Sequence, residues 1–141
     1  MKYLQRATSA FLVAAILLSS VAPACAVQKQ VDDKLVEDMT DANFAQVLSN
    51  SKVPVLIDIY ATWCMPCRKM APNIDAIAAQ YKGKIKVVRV DGDKNPVLCK
   101  KYGVTAYPTI VIVKPGQKAV SHVGYKSVKG LQNIVNKVIN P

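Results

Sequence analysis

The sequence is short of the residues from which many enzymes build a catalytic centre. Its 141 residues include a single histidine, His122, and no glycine-rich phosphate loop. One histidine without a nearby partner argues against a Ser-His-Asp type of triad. The missing phosphate loop argues against the common nucleotide-binding enzymes. The chemistry therefore has to come from other side chains.

Long hydrophobic runs are also missing. The apolar run over residues 10–21 is shorter than the roughly 20 residues that a membrane-spanning helix needs. It follows two basic residues and precedes Ala-Cys-Ala at positions 24–26, a small-x-small pattern that signal peptidase cleaves. Residues 1–26 are therefore predicted to be a secretory signal peptide, and the mature protein, starting at Val27, is expected in the periplasm. An uncleaved anchor and lipid attachment at Cys25 are the less favoured alternatives.

Acidic residues are scarce, with nine against 19 lysines and arginines. Removing residues 1–26 takes away Lys2 and Arg6 but no acid, which leaves a formal net charge of +8. The basic residues are scattered among apolar ones rather than collected in a block. This pattern predicts a solvated basic surface that favours acidic partners, with no nucleic-acid partner.

The rest of the chain alternates helix and strand patterns. Residues 27–34 are polar and aperiodic and are predicted to be a flexible lead-in to one domain, residues 35–141. Its first helix is expected to start around Thr40 and Asp41, with Thr40 as the cap. Strands are expected at residues 53–60, 85–90, 109–113 and 119–123, and further helices at 64–81 (with Pro72 inside), 96–102 and 128–139. This order predicts an α/β fold with helices flanking a central mixed sheet, whose last two strands form a hairpin.

Cys64 and Cys67 carry the strongest chemical signal. A Cys-x-x-Cys pair at a helix start places the first cysteine at the positive end of the helix dipole, beside unpaired backbone N–H groups. Both features favour a thiolate, the attacking species in disulfide exchange. Cys64 is therefore predicted to be an exposed nucleophile and Cys67 the resolving cysteine.

Two other interpretations of the pair remain open on spacing alone. A tetrahedral zinc site needs four ligands, and the mature chain offers only Cys99 and His122 as further soft donors. A purely structural disulfide that closes so short a loop adds little stability. No metal or bound cofactor is predicted, because a dithiol carries two electrons itself. Cys99 is expected to be a small, half-buried residue without a partner, and a regulatory thiol is the alternative.

Several separated motifs resemble those of the thioredoxin family. Residues 58–72, Asp-Ile-Tyr-Ala-Thr-Trp-Cys-Met-Pro-Cys-Arg-Lys-Met-Ala-Pro, are similar to the active-site segment of that family. Residues 101–109, Lys-Tyr-Gly-Val-Thr-Ala-Tyr-Pro-Thr, are similar to its second signature. The resemblance extends over residues 35–139 and implies a thioredoxin fold.

The resemblance also implies roles for individual residues. Asp58 resembles the buried acid that exchanges a proton with Cys67, although a simple pair with Arg89 or a lysine would also explain it. Pro108 resembles the cis-proline of the family, and Tyr107 before it is expected to lie against the cysteines. Trp63 is expected to form an apolar rim or to pack in the core.

Met65 and Pro66 complete the predicted substrate-binding set of Trp63, Met65, Pro66, Tyr107 and Pro108. Met65 and Tyr107 differ from the glycine and isoleucine usual in cytosolic thioredoxins, and both positions touch the redox pair or its substrate.

The expected function is exported thiol-disulfide exchange with protein disulfide or dithiol clients, in the reducing direction. A monomer supplied with electrons by a membrane-embedded donor is expected. The alternatives are a peptide-binding module without turnover and a disulfide oxidase or isomerase.

Overall fold

The computed structural model of the protein describes residues 34–140. Within them the elements are β1 (Val36–Asp38), α1 (Phe44–Asn50), β2 (Val55–Tyr60), α2 (Met65–Gln80), β3 (Lys86–Asp91), α3 (Pro96–Tyr102), β4 (Thr109–Val113), β5 (Val120–Val123) and α4 (Val128–Ile139). None of these helices is long and apolar enough to cross a membrane. The predicted signal peptide, the lead-in as far as residue 33 and Cys25 lie outside the described residues.

The strands form one mixed sheet in the order β1-β3-β2-β4-β5. β3 pairs in parallel with both β1 and β2, whereas β4 runs antiparallel to β2 and β5 antiparallel to β4. The predicted α/β fold with a central mixed sheet and a closing hairpin is therefore confirmed. β2 lies in the middle, and its end delivers the chain to the cysteine pair.

Both faces of the sheet are covered by helices. Leu56 of β2 belongs to a buried cluster with side chains of α2 and α4, among them Met70 and Leu131. Ile57 and Ile59 point to the opposite face, where they pack with Leu98 of α3 and Phe44 of α1. The alternation of side chains along β2 thus feeds two cores, which explains why the strand is apolar on both sides.

Two features at the start of the domain differ from the sequence-based expectation. β1 was not predicted, because three partly exposed residues carry no pattern and are held by pairing with β3. The prediction that α1 starts at Thr40 was wrong, since it begins at Phe44. Thr40 does not cap the helix; its own N–H donates to Oδ1 of Asn43 at 2.7 Å, and a turn results.

The Asp41 side chain caps another helix instead. Its carboxylate accepts hydrogen bonds from the backbone N–H groups of Val97 (3.0 Å) and Leu98 (2.8 Å), in the first turn of α3. Asn95, which precedes α3, accepts from the Asp41 N–H at 2.8 Å. Because this cap comes from more than 50 residues away in sequence, local helix signals could not reveal it.

Candidate active site

Cys64 and Cys67 are joined by a disulfide at the junction between β2 and α2. After β2 ends, the Cys64 N–H donates to the Ala61 carbonyl at 3.1 Å and closes a turn. Cys64 is the N-cap of α2, and Pro66 occupies the first turn, where no N–H is needed. The predicted placement of the pair at a helix start is confirmed.

The sulfur of Cys64 lies where the helix can stabilise negative charge. Cys64 Sγ accepts a hydrogen bond from the Cys67 N–H at 3.2 Å. α2 is 16 residues long and has no acid in its first turn, so its dipole adds to that bond. A thiolate on Cys64 in the reduced protein is therefore favoured over one on Cys67.

Both cysteines are largely covered in the disulfide form. Cys64 is 3% exposed and Cys67 is 4% exposed, whereas the exposure expected for Cys64 concerns the reduced protein and stays a prediction. Ala61, Tyr60 and Tyr107 pack around them. The flanking side chains are open instead, and Trp63 is 67% exposed, which excludes core packing for it. The disulfide thus lies under an apolar rim.

Tyr107 and Pro108 come beside the pair from the other end of the chain. The peptide bond between them is cis. The Tyr107 ring contacts the cysteine cluster on one side and lies edge-on to the Trp63 ring, with 5.9 Å between the ring centroids. Trp63 Nε1 donates to Asp93 at 2.8 Å, which fixes the indole. Trp63, Tyr107 and the disulfide therefore form one surface.

The hydroxyl end of Tyr107 occupies a space that sequence reasoning missed. It lies over Gly92, where no side chain competes for the position, and 3.9 Å from Cys99 Sγ. Burial raises the pKa of Tyr107 to about 12. In the sequence, the trace of this contact is Gly92 directly after β3. Its partner, Tyr107, is 15 positions away, so no local pattern joins the two.

Cys99 is half-buried and forms no disulfide with the cysteines of residues 34–140. The expectation that it lacks a partner is wrong in one respect, because its thiol donates to the Gly92 carbonyl at 3.5 Å. Burial raises the pKa of the Cys99 thiol, so it is less reactive than a free cysteine.

Asp58 is buried in the middle of β2, with 1% of its surface exposed. Arg89 Nε donates to its Oδ2 at 3.2 Å, whereas Oδ1 has no hydrogen-bond partner among residues 34–140. Burial raises the pKa of Asp58, and Arg89 only partly opposes this through its charge and hydrogen bond. The pairing with Arg89 and a role in proton exchange are compatible, since a raised pKa brings the carboxyl nearer to neutral pH.

A cavity of about 150 Å³ separates Cys67 from the Arg89 side chain. Tyr60, Ala61 and Ala71 also line it. Its volume admits water, and Thr62, Arg68 and Arg89 supply polar groups along it. The link between this space and Asp58 is the ion pair of Asp58 with Arg89. Among residues 34–140 no cluster of histidine, cysteine and acidic side chains is arranged to hold a metal ion.

Comparison with known proteins agrees with this geometry. The family model described as Thioredoxin matches residues 35–137. The chain is 40% identical over 105 residues to thioredoxin of Porphyra purpurea, a match over 74% of this chain and 98% of that protein. It is 51% identical over 86 residues to thioredoxin 1 of Nostoc sp., covering 61% of this chain and 80% of the relative. The chain belongs to the thioredoxin family.

A solved structure supports the same assignment at the level of the fold. The crystal structure of chloroplastic thioredoxin z superposes with a TM-score of 0.67 at 28% identity, covering 73% of this chain and 93% of that one. As a thioredoxin-family member, the chain is a thiol-disulfide oxidoreductase that acts on protein disulfides. The spacing of Cys64 and Cys67 fits the redox-active pair of the family.

Proposed function

We propose that this protein is exported and reduces disulfide bonds in protein clients with Cys64 as the nucleophile. The observation that carries the direction is that, among residues 34–140, the Cys64 sulfur has no strong donor beside it. Its hydrogen bond comes from the Cys67 N–H alone, and the two residues between the cysteines, Met65 and Pro66, add no polar side chain. A weakly stabilised thiolate makes the dithiol a better reductant.

The neighbouring charges act in the same direction. The Arg68 guanidinium is engaged by the Thr62 carbonyl at 3.3 Å and Met65 Sδ at 3.5 Å, so it is not directed at the pair. Asp58, when ionised, further disfavours thiolates near Cys67. The pair is therefore expected at the reducing end of the range that this motif spans.

The reaction passes two electrons to the client. The Cys64 thiolate attacks one sulfur of the client disulfide, forming a mixed disulfide while the other client sulfur leaves as a thiolate and takes up a proton. Cys67 then loses its proton, with the buried Asp58 as the proposed acceptor, and attacks Cys64 Sγ. The second client thiol leaves, and Cys64 and Cys67 end as a disulfide.

The predicted substrate-binding residues surround this chemistry. Trp63 and Met65, both more than half exposed, present an apolar surface to a client. Pro66 lies in the first turn of α2 and has no N–H there, and Tyr107, joined to Pro108 by a cis peptide bond, packs beside the disulfide. An extended client segment can dock there by main-chain contacts.

The reduction potential of the pair tests the direction of electron flow. Equilibration with glutathione buffers is expected to place it well below roughly −150 mV, and a value near or above that would assign the protein to the oxidases or isomerases. Replacing Met65 by Pro and Pro66 by His is expected to raise the potential, because the imidazole adds a donor beside Cys64.

Insulin reduction with dithiothreitol tests turnover. Wild-type protein is expected to accelerate it, whereas the Cys64→Ala, Cys67→Ala variant is not. Equal activity of the two proteins would favour the peptide-binding module. Cys67→Ser is expected to accumulate mixed disulfides with clients; if Cys64→Ser traps them instead, the nucleophile assignment is reversed.

Export and its consequences complete the proposal. The basic start, apolar run and Ala-Cys-Ala pattern of residues 1–26 support secretion to the periplasm. In that oxidising compartment a reductase needs electrons from a membrane-embedded donor, and we expect it to work as a monomer. The intact mass of protein recovered from the exporting cell is expected to correspond to a chain starting at Val27. A diacylglyceryl mass on Cys25 would contradict soluble release.

A further inference from the structure

The charge of the chain is distributed unevenly along its length. All nine acidic residues precede residue 94, whereas residues 94–141 contain eight lysines and no acid. That part of the chain builds α3, β4, β5 and α4. β5 is the last strand in the order of the sheet, so this edge carries positive charge without carboxylates of its own.

A groove of about 350 Å³ lies between β5 and α4 at this edge. Its apolar lining comes from Ile112, Val120, Ile134 and Val138. Its basic lining comes from Lys114, Lys118, Lys137 and His122. These residues define the β5–α4 groove, which combines an apolar floor with a cationic rim.

Two lysines at the rim of the groove carry charge that no described carboxylate neutralises. Lys114 Nζ donates to the Val138 carbonyl at 3.2 Å. Within residues 34–140, Lys118 and Lys137 form no ion pair with an acidic side chain. The pKa of His122 is lowered mainly by burial and further by the positive charges of Lys126 and Lys137. The contribution of the two lysines reflects the positive potential at this edge. An anionic group could therefore bind Lys118 and Lys137 without first breaking an ion pair with a described carboxylate.

The strand beside the groove has an unpaired edge in the part of the chain that the structure describes. β5 pairs with β4 on one side, and its residues Val120 and Val123 are 52% and 53% exposed. Its end adjoins the active site, because Val123 lies opposite Thr109 and the Gly124 N–H donates to the Pro108 carbonyl at 2.8 Å. Lys126 Nζ donates to the Val123 carbonyl at 2.7 Å at the end of β5, so a further strand would pair with the backbone groups that precede Val123.

We propose that the β5–α4 groove binds an extended, acidic segment of a partner protein, which adds to β5 as a sixth strand. The segment places an apolar side chain in the groove and carboxylates against Lys118 and Lys137. Charge complementarity and the free strand edge favour this occupant. A second copy of the chain would bring the same positive charge, and a flat anionic bilayer offers no strand to pair with β5.

A fluorescent heptapeptide, Glu-Ser-Val-Ser-Glu-Ser-Glu, is a suitable probe, because one face of it as a strand presents valine among glutamates. Fluorescence anisotropy at low ionic strength is expected to show binding that weakens with added salt. Exchanging its valine for serine, or its glutamates for glutamines, is expected to abolish most of the signal. The measurement needs no redox turnover, so its outcome is separate from that of the reductase assays.

Charge reversal on the protein locates the site. Lys118→Glu with Lys137→Glu is expected to weaken binding by about tenfold or more, because like charges then face each other. The matched control, Lys52→Glu with Lys100→Glu, makes the same change of net charge at exposed sites outside the groove and is expected to bind within about threefold of wild type. Unchanged insulin reduction would show that both variants are folded. If the Lys118→Glu, Lys137→Glu variant is not folded, Lys118→Gln with Lys137→Gln replaces it.

Amide chemical shifts of the wild-type protein give a second, independent reading. The peptide is expected to perturb residues 112–123 and 133–138. Equal losses in the two charge-reversal variants would reduce the binding to unspecific charge and overturn the proposal. So would shifts confined to residues 63–67 and 107–109, or binding to phosphatidylglycerol vesicles without binding to the peptide.

Discussion

Gly92 leaves the space that the Tyr107 ring fills beside the disulfide. A Cβ at position 92 would lie 2.6 Å from both Cε1 and Cζ of that ring, and closer still to the hydroxyl. Protein atoms do not approach so closely, so either the ring or the turn after β3 has to move. The segment with the cis-proline can therefore pack against the turn after β3 only because position 92 has no side chain.

Gly92→Ala is expected to destabilise the protein by about 1–3 kcal/mol, the usual cost of overpacking. The same substitution in a Tyr107→Ala background is expected to cost far less, because the colliding ring is gone. Urea unfolding of the four proteins of this double-mutant cycle measures the coupling. Gly130→Ala is the control: its Cβ would meet only ordinary contacts of 3.6 Å or more, so stability is expected to hold or rise. Equal costs in both Tyr107 backgrounds would contradict the steric explanation.

Asp58 is the residue whose charge state links the site to pH. Because burial raises its pKa above the ordinary 3.8, the folded protein holds this proton at pH values where the unfolded chain has lost it. The contribution of Asp58 to stability therefore falls as the pH rises from about 3.8 through the folded pKa, and is constant above it. At neutral pH the burial of the Asp58 carboxyl is therefore a cost to the fold.

Asp58→Asn is accordingly expected to be more stable than wild type at neutral pH, with a gain that shrinks towards pH 4. Urea unfolding at several pH values measures the difference. Asp38→Asn is the control: Asp38 is 68% exposed and pairs with Lys34 at 2.7 Å on the surface, so the substitution is expected to change stability by less than about 1 kcal/mol. Asp58→Asn is also expected to resolve mixed disulfides more slowly than wild type. A gain independent of pH would assign the effect to packing instead of to the charge.

At the scale of single elements, α4 begins with a local cap. The Ser127 side chain accepts a hydrogen bond from the Gly130 N–H at 3.2 Å. α4 then contributes Leu131 and Val135 to the core on one face of the sheet. Losing the cap frays the turn that holds Leu131 in place.

Ser127→Ala is expected to lower the free energy of unfolding by about 1 kcal/mol. Ser127→Asp keeps an acceptor at the N-cap and adds a negative charge at the positive end of the helix, so it is expected to match wild type. Thermal or urea unfolding compares the three proteins. Equal losses in both variants would show that the hydroxyl acts elsewhere than on the cap.

Local signals explain which elements the sequence could predict. α3, β4 and α4 have the expected bounds, because Pro96 and Gly103, a β-branched run, and a capped amphipathic stretch mark them locally. β1 was missed because pairing with β3 decides it, and the start of α1 was missed because Asp41 binds the first turn of α3 while Thr40 and Asn43 form a turn ahead of α1. Such long-range contacts leave no periodic trace in the chain.

The same distinction holds for the site. Cys64, Cys67, Asp58 and Pro108 lie in contiguous motifs and could be recognised from the sequence. The contact among Gly92, Cys99 and Tyr107 could not, because no motif joins them and only the fold brings them together. The open position of Trp63 likewise depends on Tyr107 and Asp93, which come from other segments.

For the whole molecule, the redox state of the pair and the stability of the fold are linked by a thermodynamic cycle. A fold that favours the disulfide over the dithiol is stabilised by oxidation to the same extent that its potential lies below that of the unfolded chain. The four residues from Cys64 to Cys67 close a small loop, for which chain entropy gives about 2 kcal/mol, which is small beside the roughly 5 kcal/mol of a 100-residue loop but measurable. The free energy by which the fold favours the disulfide over the dithiol therefore makes the oxidised form more stable and also makes the dithiol a stronger reductant.

The oxidised protein is therefore expected to unfold at a higher urea concentration than the reduced protein, by a free energy of about 2 kcal/mol. Urea titrations at pH 7 with and without dithiothreitol measure it. The Cys64→Ser, Cys67→Ser variant is the control and is expected to ignore the reductant. A reduced form more stable than the oxidised one would mean that the fold stabilises the Cys64 thiolate strongly. The pair would then draw electrons from its clients, and the assignment as a reductase would be wrong.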